Sequence, residues 1–253
     1  MEIIIGLLII AVGAFCQSSC YVPINKIKNW SWESYWIVQG VFAWLVFPFL
    51  GALLAVPDGH SLFEIYAAHP ADTLWAMFFG VLWGVGGLTF GLSMRYLGVA
   101  LGQSISLGTC AGLGTILTPI FTGHMEELTM PVIVGVIVTL LGIGIIGYAG
   151  NMKSASLSEE EKKKAVKDFN FTKGIFVALL AGFMSACFSI GLGFGQSLCF
   201  PESAEVYKTL PATLMVTAGG FLTNMVYCFY QNAKNKTWGD YGKTSLYVNN
   251  ILF

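Results

Sequence analysis

Charge is what this chain has little of. Of its 253 residues, 13 are Lys or Arg and 14 are Asp or Glu, or 11% charged, against roughly 25% in an average soluble domain. So few charges cannot cover a water-exposed surface, which argues against a soluble globular enzyme. The net charge of −1 supplies no electrostatic footprint for nucleic acid. Histidine is scarce, at three residues, and the six cysteines (Cys16, Cys20, Cys110, Cys187, Cys199 and Cys228) form no CxxC or Cys/His pattern. They read as small buried hydrophobes, and neither a metal nor a cofactor is expected. The N-terminus has no positively charged stretch ahead of its apolar run, so that run reads as a retained span and not a cleaved signal.

What fills the chain instead is apolar: 55% hydrophobic residues, a mean hydropathy of +0.70, and 30 glycines that suit close helix packing in lipid. The expected fold class is an all-α polytopic membrane protein. Crossing the hydrocarbon core takes about 20 mostly apolar residues. Seven segments qualify: Ile3–Val22, Tyr35–Val56, Thr73–Met94, Val99–Phe121, Met130–Ala149, Gly174–Leu198 and Leu210–Gln231. An eighth apolar run, Leu246–Phe253, is too short to span and reads as the start of a further helix, so the second half is expected to be incomplete.

Twelve of the 13 basic residues follow odd-numbered spans: Lys26, Lys28, Arg95, six between Lys153 and Lys173, and Lys234, Lys236 and Lys243. Lys208 alone falls on the other side. By the positive-inside rule the odd loops face the cytoplasm and the N-terminus lies outside. The sequons at Asn29, Asn170 and Asn235 then lie on the cytoplasmic side and read as chance.

The polar stretch Asn151–Lys173 divides a first half, residues 1–150, from a second half, residues 174–253, and reads as a cytoplasmic linker or a short surface helix. Aligning Gly6 with Gly174 places Phe15 on Phe183, Gln17 on Ser185 and Ser19 on Cys187. A repeated unit with an odd number of spans must lie inverted the second time, as in many secondary transporters. Two inverted five-helix halves make about ten spans.

Between the span ends there is no Asp, Glu, Lys or His; Glu33, Asp72 and Arg95 sit at boundaries. Charge at the bilayer centre is costly, so these three are the gating or coupling candidates, with a gate pair between Arg95 and Glu33 as one option and simple snorkelling of Arg95 as the other. Amides and hydroxyls are more plentiful. Gly13, Gln17 and Tyr21 share a helix face, and Gln39, Gln103, Ser104, Ser185 and Asn224 lie within other spans. Such groups both donate and accept hydrogen bonds, which suits a neutral polyhydroxylated substrate, while Trp44, Trp83 and Phe90 offer flat apolar faces. The candidate substrate-binding set is Gln17, Tyr21, Gln39, Trp83, Gln103, Ser104, Ser185 and Asn224. The competing reading is structural: Ser and Thr bond their own helix and Gln bridges neighbours. Glycine pairs at 80/84, 87/91, 98/102 and 108/112 read as helix contacts.

Several segments resemble one family. Tyr21-Val22-Pro23-Ile24-Asn25-Lys26-Ile27-Lys28-Asn29-Trp30-Ser31-Trp32-Glu33 is similar to the first cytoplasmic loop of the L-rhamnose–proton symporters, within the drug/metabolite transporter superfamily. Phe79–Gly86, Gly91-Leu92-Ser93-Met94-Arg95-Tyr96-Leu97-Gly98, Leu117-Thr118-Pro119-Ile120 and Asp168-Phe169-Asn170 fit as well. The resemblance implies a bacterial inner-membrane sugar importer of ten spans, driven by protons. Its partners are then a small sugar, a proton and membrane lipid, with no nucleic acid. A drug or metabolite exporter of the same superfamily and a non-transporting sugar sensor are the alternatives. An enzyme is not expected, since no intramembrane acid, base or metal cluster is visible.

Overall fold

The computed structural model describes residues 2–19, 27–156 and 168–244, and they are helical throughout apart from connecting turns. Eight helices are named here: α1 (Glu2–Ser19), α2 (Trp32–Leu53), α3 (Leu62–Ala68), α4 (Pro70–Leu97), α5 (Val99–Thr122), α6 (Met130–Ser156), α7 (Phe171–Phe194) and α8 (Leu210–Asn235). Among the described residues, α2, α4, α5, α6, α7 and α8 are long and apolar enough to cross a membrane, whereas α1 carries a shorter apolar stretch, Ile4–Cys16. The run beginning at Leu246 and the centre of the linker lie outside the described residues.

Helices α4, α6 and α8 outrun the apolar segments by about a turn or more, because hydrophobicity marks only the hydrocarbon part while capping sets the true end. Pro70 opens α4, where its missing N–H costs nothing. Gly98 ends it at φ +82°, a conformation that strains any other residue, and α5 begins at once. Asn170 caps α7, its side-chain oxygen accepting from the Lys173 N–H at 3.0 Å. Ser61 and Glu64 close a capping box at the start of α3.

The chain divides into two compact units, residues 41–225 and residues 1–40 with 226–253. In the larger unit, α7 packs on both α4 and α5 with a face of small residues that includes Gly174, Ala178, Ala181, Gly182 and Ala186. The helices approach so closely that side chains are excluded. A Cβ at Gly80 would stand 2.1 Å from the Val216 carbonyl oxygen, one at Gly182 2.7 Å from that of Ser106, and one at Gly86 2.7 Å from the Ser185 nitrogen. Gly108 and Gly112 seat Ile143 and Leu140 of α6, as a packing pair should. Among the described residues Gly87 and Gly91 meet nothing within 4 Å, and both lie on the exposed side of α4, so the second predicted pair makes no contact there. Aromatic stacking of Phe79 on Phe194, with ring centroids 5.5 Å apart, closes the far end of α4 and α7.

Outward, α6 exposes Val134, Val138, Leu141 and Ile145, and α1 exposes Ile4, Leu7, Leu8 and Ile10. Surfaces of this kind are at home in lipid and not in water.

Gly80→Val should therefore lower the thermal stability of the detergent-solubilised protein by about 1–3 kcal/mol or more. Gly87→Ala should leave it unchanged. Equal melting temperatures for the two variants would contradict the close approach of α4 and α8.

Candidate functional site

Three polar assemblies stand out. The first lies in the middle of the larger unit. Trp83 projects from α4, its indole edge-on to Trp44 at 6.1 Å and tilted against Phe188 at 5.0 Å. Trp44 rides on a stretch of α2, Val41–Val46, that is wound as a π-helix, a rare form that recurs at functional sites. The Trp83 ring lies over Gly220, where a Cβ would come within 2.4 Å of it. The carbonyl of that glycine accepts from Asn224 Nδ2 at 2.8 Å, and Asn224 is buried. Ser185 sits against Gly86, three residues beyond Trp83. Gln103 and Ser104 are half-buried on α5, three and two residues before Ser106. Ser93 donates to the Phe90 carbonyl, so in the 3.2 Å contact between the Ser93 and Ser106 hydroxyls it is Ser106 that donates. Trp83 is thus enclosed by Trp44, Phe188 and Gly220, with Asn224 one turn beyond Gly220 on α8.

The second assembly joins the end of α4 to the start of α7. Arg95 Nε donates to Asp168 Oδ2 at 2.5 Å, the Asn170 N–H donates to the Tyr96 carbonyl at 3.1 Å, and Lys173 Nζ lies 4.7 Å above the Tyr96 ring. The ion pair is exposed and screened by solvent, so it adds little stability alone. Its surroundings make it specific: Leu97 packs where a Cβ on Gly174 would lie. Arg95 therefore has Asp168 as a partner. At the opposite ends of the same two helices, the Ser197 hydroxyl donates to Asp72 Oδ2 at 2.5 Å, with His69 Nδ1 3.8 Å from the same oxygen.

The third assembly belongs to the smaller unit. Glu33, at the first turn of α2, is buried and accepts from Asn235 Nδ2 and Thr237 Oγ1, each at 2.9 Å. Asp240 is buried as well, taking the Ser31 N–H at 2.7 Å and Lys243 Nζ at 2.5 Å. Asn232 Oδ1 accepts from Ser34 at 3.0 Å and Thr237 at 2.7 Å. Burial pushes the Asp240 carboxyl up, but the bonds from Lys243 and Ser31 outweigh it and hold its pKa down to about 2, against an ordinary 3.8.

Of the remaining predicted residues, Gln39 is half-buried on α2 with its amide oxygen enclosed and without a hydrogen-bond partner among the described residues. Gln17 lies in the last turn of α1, with its side chain outside the described residues, as is all of Tyr21. Among the described residues, no cluster of His, Cys, Asp and Glu could hold a metal.

A family model described as L-rhamnose-proton symport protein matches residues 1–253. The chain belongs to the L-rhamnose–proton symporter family. Among its relatives are the L-rhamnose-proton symporters of Yersinia pestis bv. Antiqua (strain Antiqua), Yersinia pestis (strain Pestoides F) and Yersinia pseudotuberculosis serotype O:1b (strain IP 31758). Each is 32% identical over 265 residues, an alignment covering 99% of this chain and 75% of the relative. No solved structure matches significantly. Membership of a symporter family makes the protein a transporter and not an enzyme, in a multi-pass membrane setting. Within this symporter, the motifs around Arg95 and Asp168, 73 residues apart in the chain, are in direct contact.

The depressed Asp240 pKa stabilises the fold fully above pH 3.8, and that contribution is lost as the pH falls towards about 2. Asp240→Asn should melt at a lower temperature than the unsubstituted protein at neutral pH, with the gap closing across that acid window. A gap that stays constant with pH would contradict the assignment.

Proposed function

We propose that this chain imports L-rhamnose together with a proton, by alternating access. The observation that carries the reading is the family match along all 253 residues, with relatives named as L-rhamnose-proton symporters at 32% identity. L-Rhamnose is a neutral 6-deoxy sugar, so its site needs hydrogen-bond donors and acceptors and a flat apolar wall, but no countercharge. Trp83 supplies the wall, backed by Trp44 and Phe188, while Asn224, Ser185, Gln103 and Ser104 supply amides and hydroxyls. The near-absence of ionisable groups from the spans agrees with a neutral cargo, and leaves Glu33, Asp72 and Arg95 at the edges for gating or coupling.

In the membrane, residues 1–150 and 174–253 belong to two inverted halves of a protein of about ten spans, seven of them and the start of an eighth in this chain. Residues 151–173 form the cytoplasmic linker, and the N-terminus lies on the outer side of a bacterial inner membrane. The distribution of 12 of 13 basic residues after odd-numbered spans supports that orientation. The contact of Arg95 with Asp168 agrees with it, since both then lie on the cytoplasmic side. Gln17, Tyr21 and Gln39 remain candidates for sugar contact from the helices that carry them.

Uptake of labelled L-rhamnose in a transport-deficient bacterial host tests the reading. Expression of the chain should give concentrative uptake that a proton uncoupler abolishes, and accumulation that survives the uncoupler would refute the coupling. Trp83→Ala should raise KM for the sugar about two- to tenfold, the worth of one aromatic face. Arg95→Gln and Asp168→Asn should each slow uptake by up to about fivefold, and the double variant should be no slower than either single one. Unimpaired uptake by Arg95→Gln removes the residue from the gate.

A further inference from the structure

The two buried carboxylates of the smaller unit are held in opposite ways. Asp240 is paired with the Lys243 ammonium and stays ionised. Glu33 meets only neutral donors, Asn235 and Thr237, and among the described residues no Lys, Arg or His lies within ion-pair distance of it. Near it on the packed elements are Asp240 of the 3-10 turn Trp238–Gly242 and Cys228 of α8, with Lys243 bound to Asp240 and Tyr241 bound to Asn232. The single cation in that group is engaged by Asp240 and by the Asn29 carbonyl at 2.7 Å.

The proton count around Thr237 is the deciding feature. Its one hydroxyl proton faces two acceptors, Glu33 Oε1 at 2.9 Å and Asn232 Oδ1 at 2.7 Å. With Glu33 ionised, Thr237 can serve only one of them fully. With one proton on Glu33, the carboxyl O–H donates to Thr237 Oγ1 and the Thr237 O–H donates to Asn232 Oδ1, so every short contact becomes a bond. The backbone sets this up: Lys236 adopts φ +58°, a left-handed turn that carries Asn235 and Thr237 on either side of it to the same carboxylate oxygen. The sequon Asn235-Lys236-Thr237 is thus the partner of Glu33.

We infer that Glu33 carries the coupling proton, with Thr237 and Asn232 registering its protonation through the direction of the Thr237 hydroxyl. This rests on the symport reading. Taking up the proton forms the carboxyl O–H, and releasing it to the cytoplasm restores the carboxylate; no other bond changes.

The test uses cells expressing the full chain and measures three things: L-rhamnose-driven alkalinisation of the medium, concentrative uptake and sugar counterflow. Glu33→Gln, which mimics the protonated carboxyl, should lose alkalinisation and concentrative uptake while counterflow continues. Glu33→Asp should keep concentrative uptake with a shifted pH midpoint, which also covers the case of a Gln variant that fails to fold. Alkalinisation by Glu33→Gln, or an unshifted midpoint in Glu33→Asp, overturns the inference. If the unsubstituted protein itself shows no rhamnose-driven alkalinisation, it is the symport reading that fails.

Discussion

Placing a charge in hydrocarbon costs several kcal/mol, and that cost organises this protein. It clears the spans of Asp, Glu, Lys and His and gathers charges at helix ends, where three of them meet quite different surroundings. Arg95 and Asp168 pair in an exposed setting, where the pair adds orientation more than energy. Asp240 is buried and takes a lysine. Glu33 is buried and takes two neutral donors, Asn235 and Thr237.

The same constraint explains the glycines. Between lipid-bathed helices the hydrophobic effect supplies no net attraction, so association rests on close packing and interhelical hydrogen bonds. Gly80, Gly84 and Gly219 let α4 and α8 approach until the Thr223 hydroxyl reaches the Val81 carbonyl at 2.8 Å. Gly182 does the same for α7 on α5. Gly220 has a different use: its missing side chain is the seat of the Trp83 indole. A scaffold packed backbone to backbone holds that aromatic face in place without spending a charge on it.

Much of the architecture was legible in the sequence, because a span of apolar residues bounded by caps has few alternatives. The starts of α5, α6 and α8 fall where the apolar runs predict. What could not be read has a common cause: it depends on partners far apart in the chain. Arg95 and Asp168 were both visible in motifs, yet nothing in their spacing pairs them. Asn235 and Thr237 look like ordinary polar residues at a helix end until Glu33, some 200 positions earlier, is seen between them. The idle pair Gly87 and Gly91 shows the converse, since glycine spacing alone does not say which face meets a neighbour. The π-helical stretch under Trp44 has no marker in the sequence that we recognise.

Coupled movement of a neutral sugar and a proton is the central claim, and purified protein in sealed vesicles tests it most directly. With the outside made acidic and no other gradient imposed, L-rhamnose should accumulate inside well above its external concentration and drain away when the pH difference collapses. Sugar that merely equilibrates, at the same level with and without the pH gradient, would contradict the account.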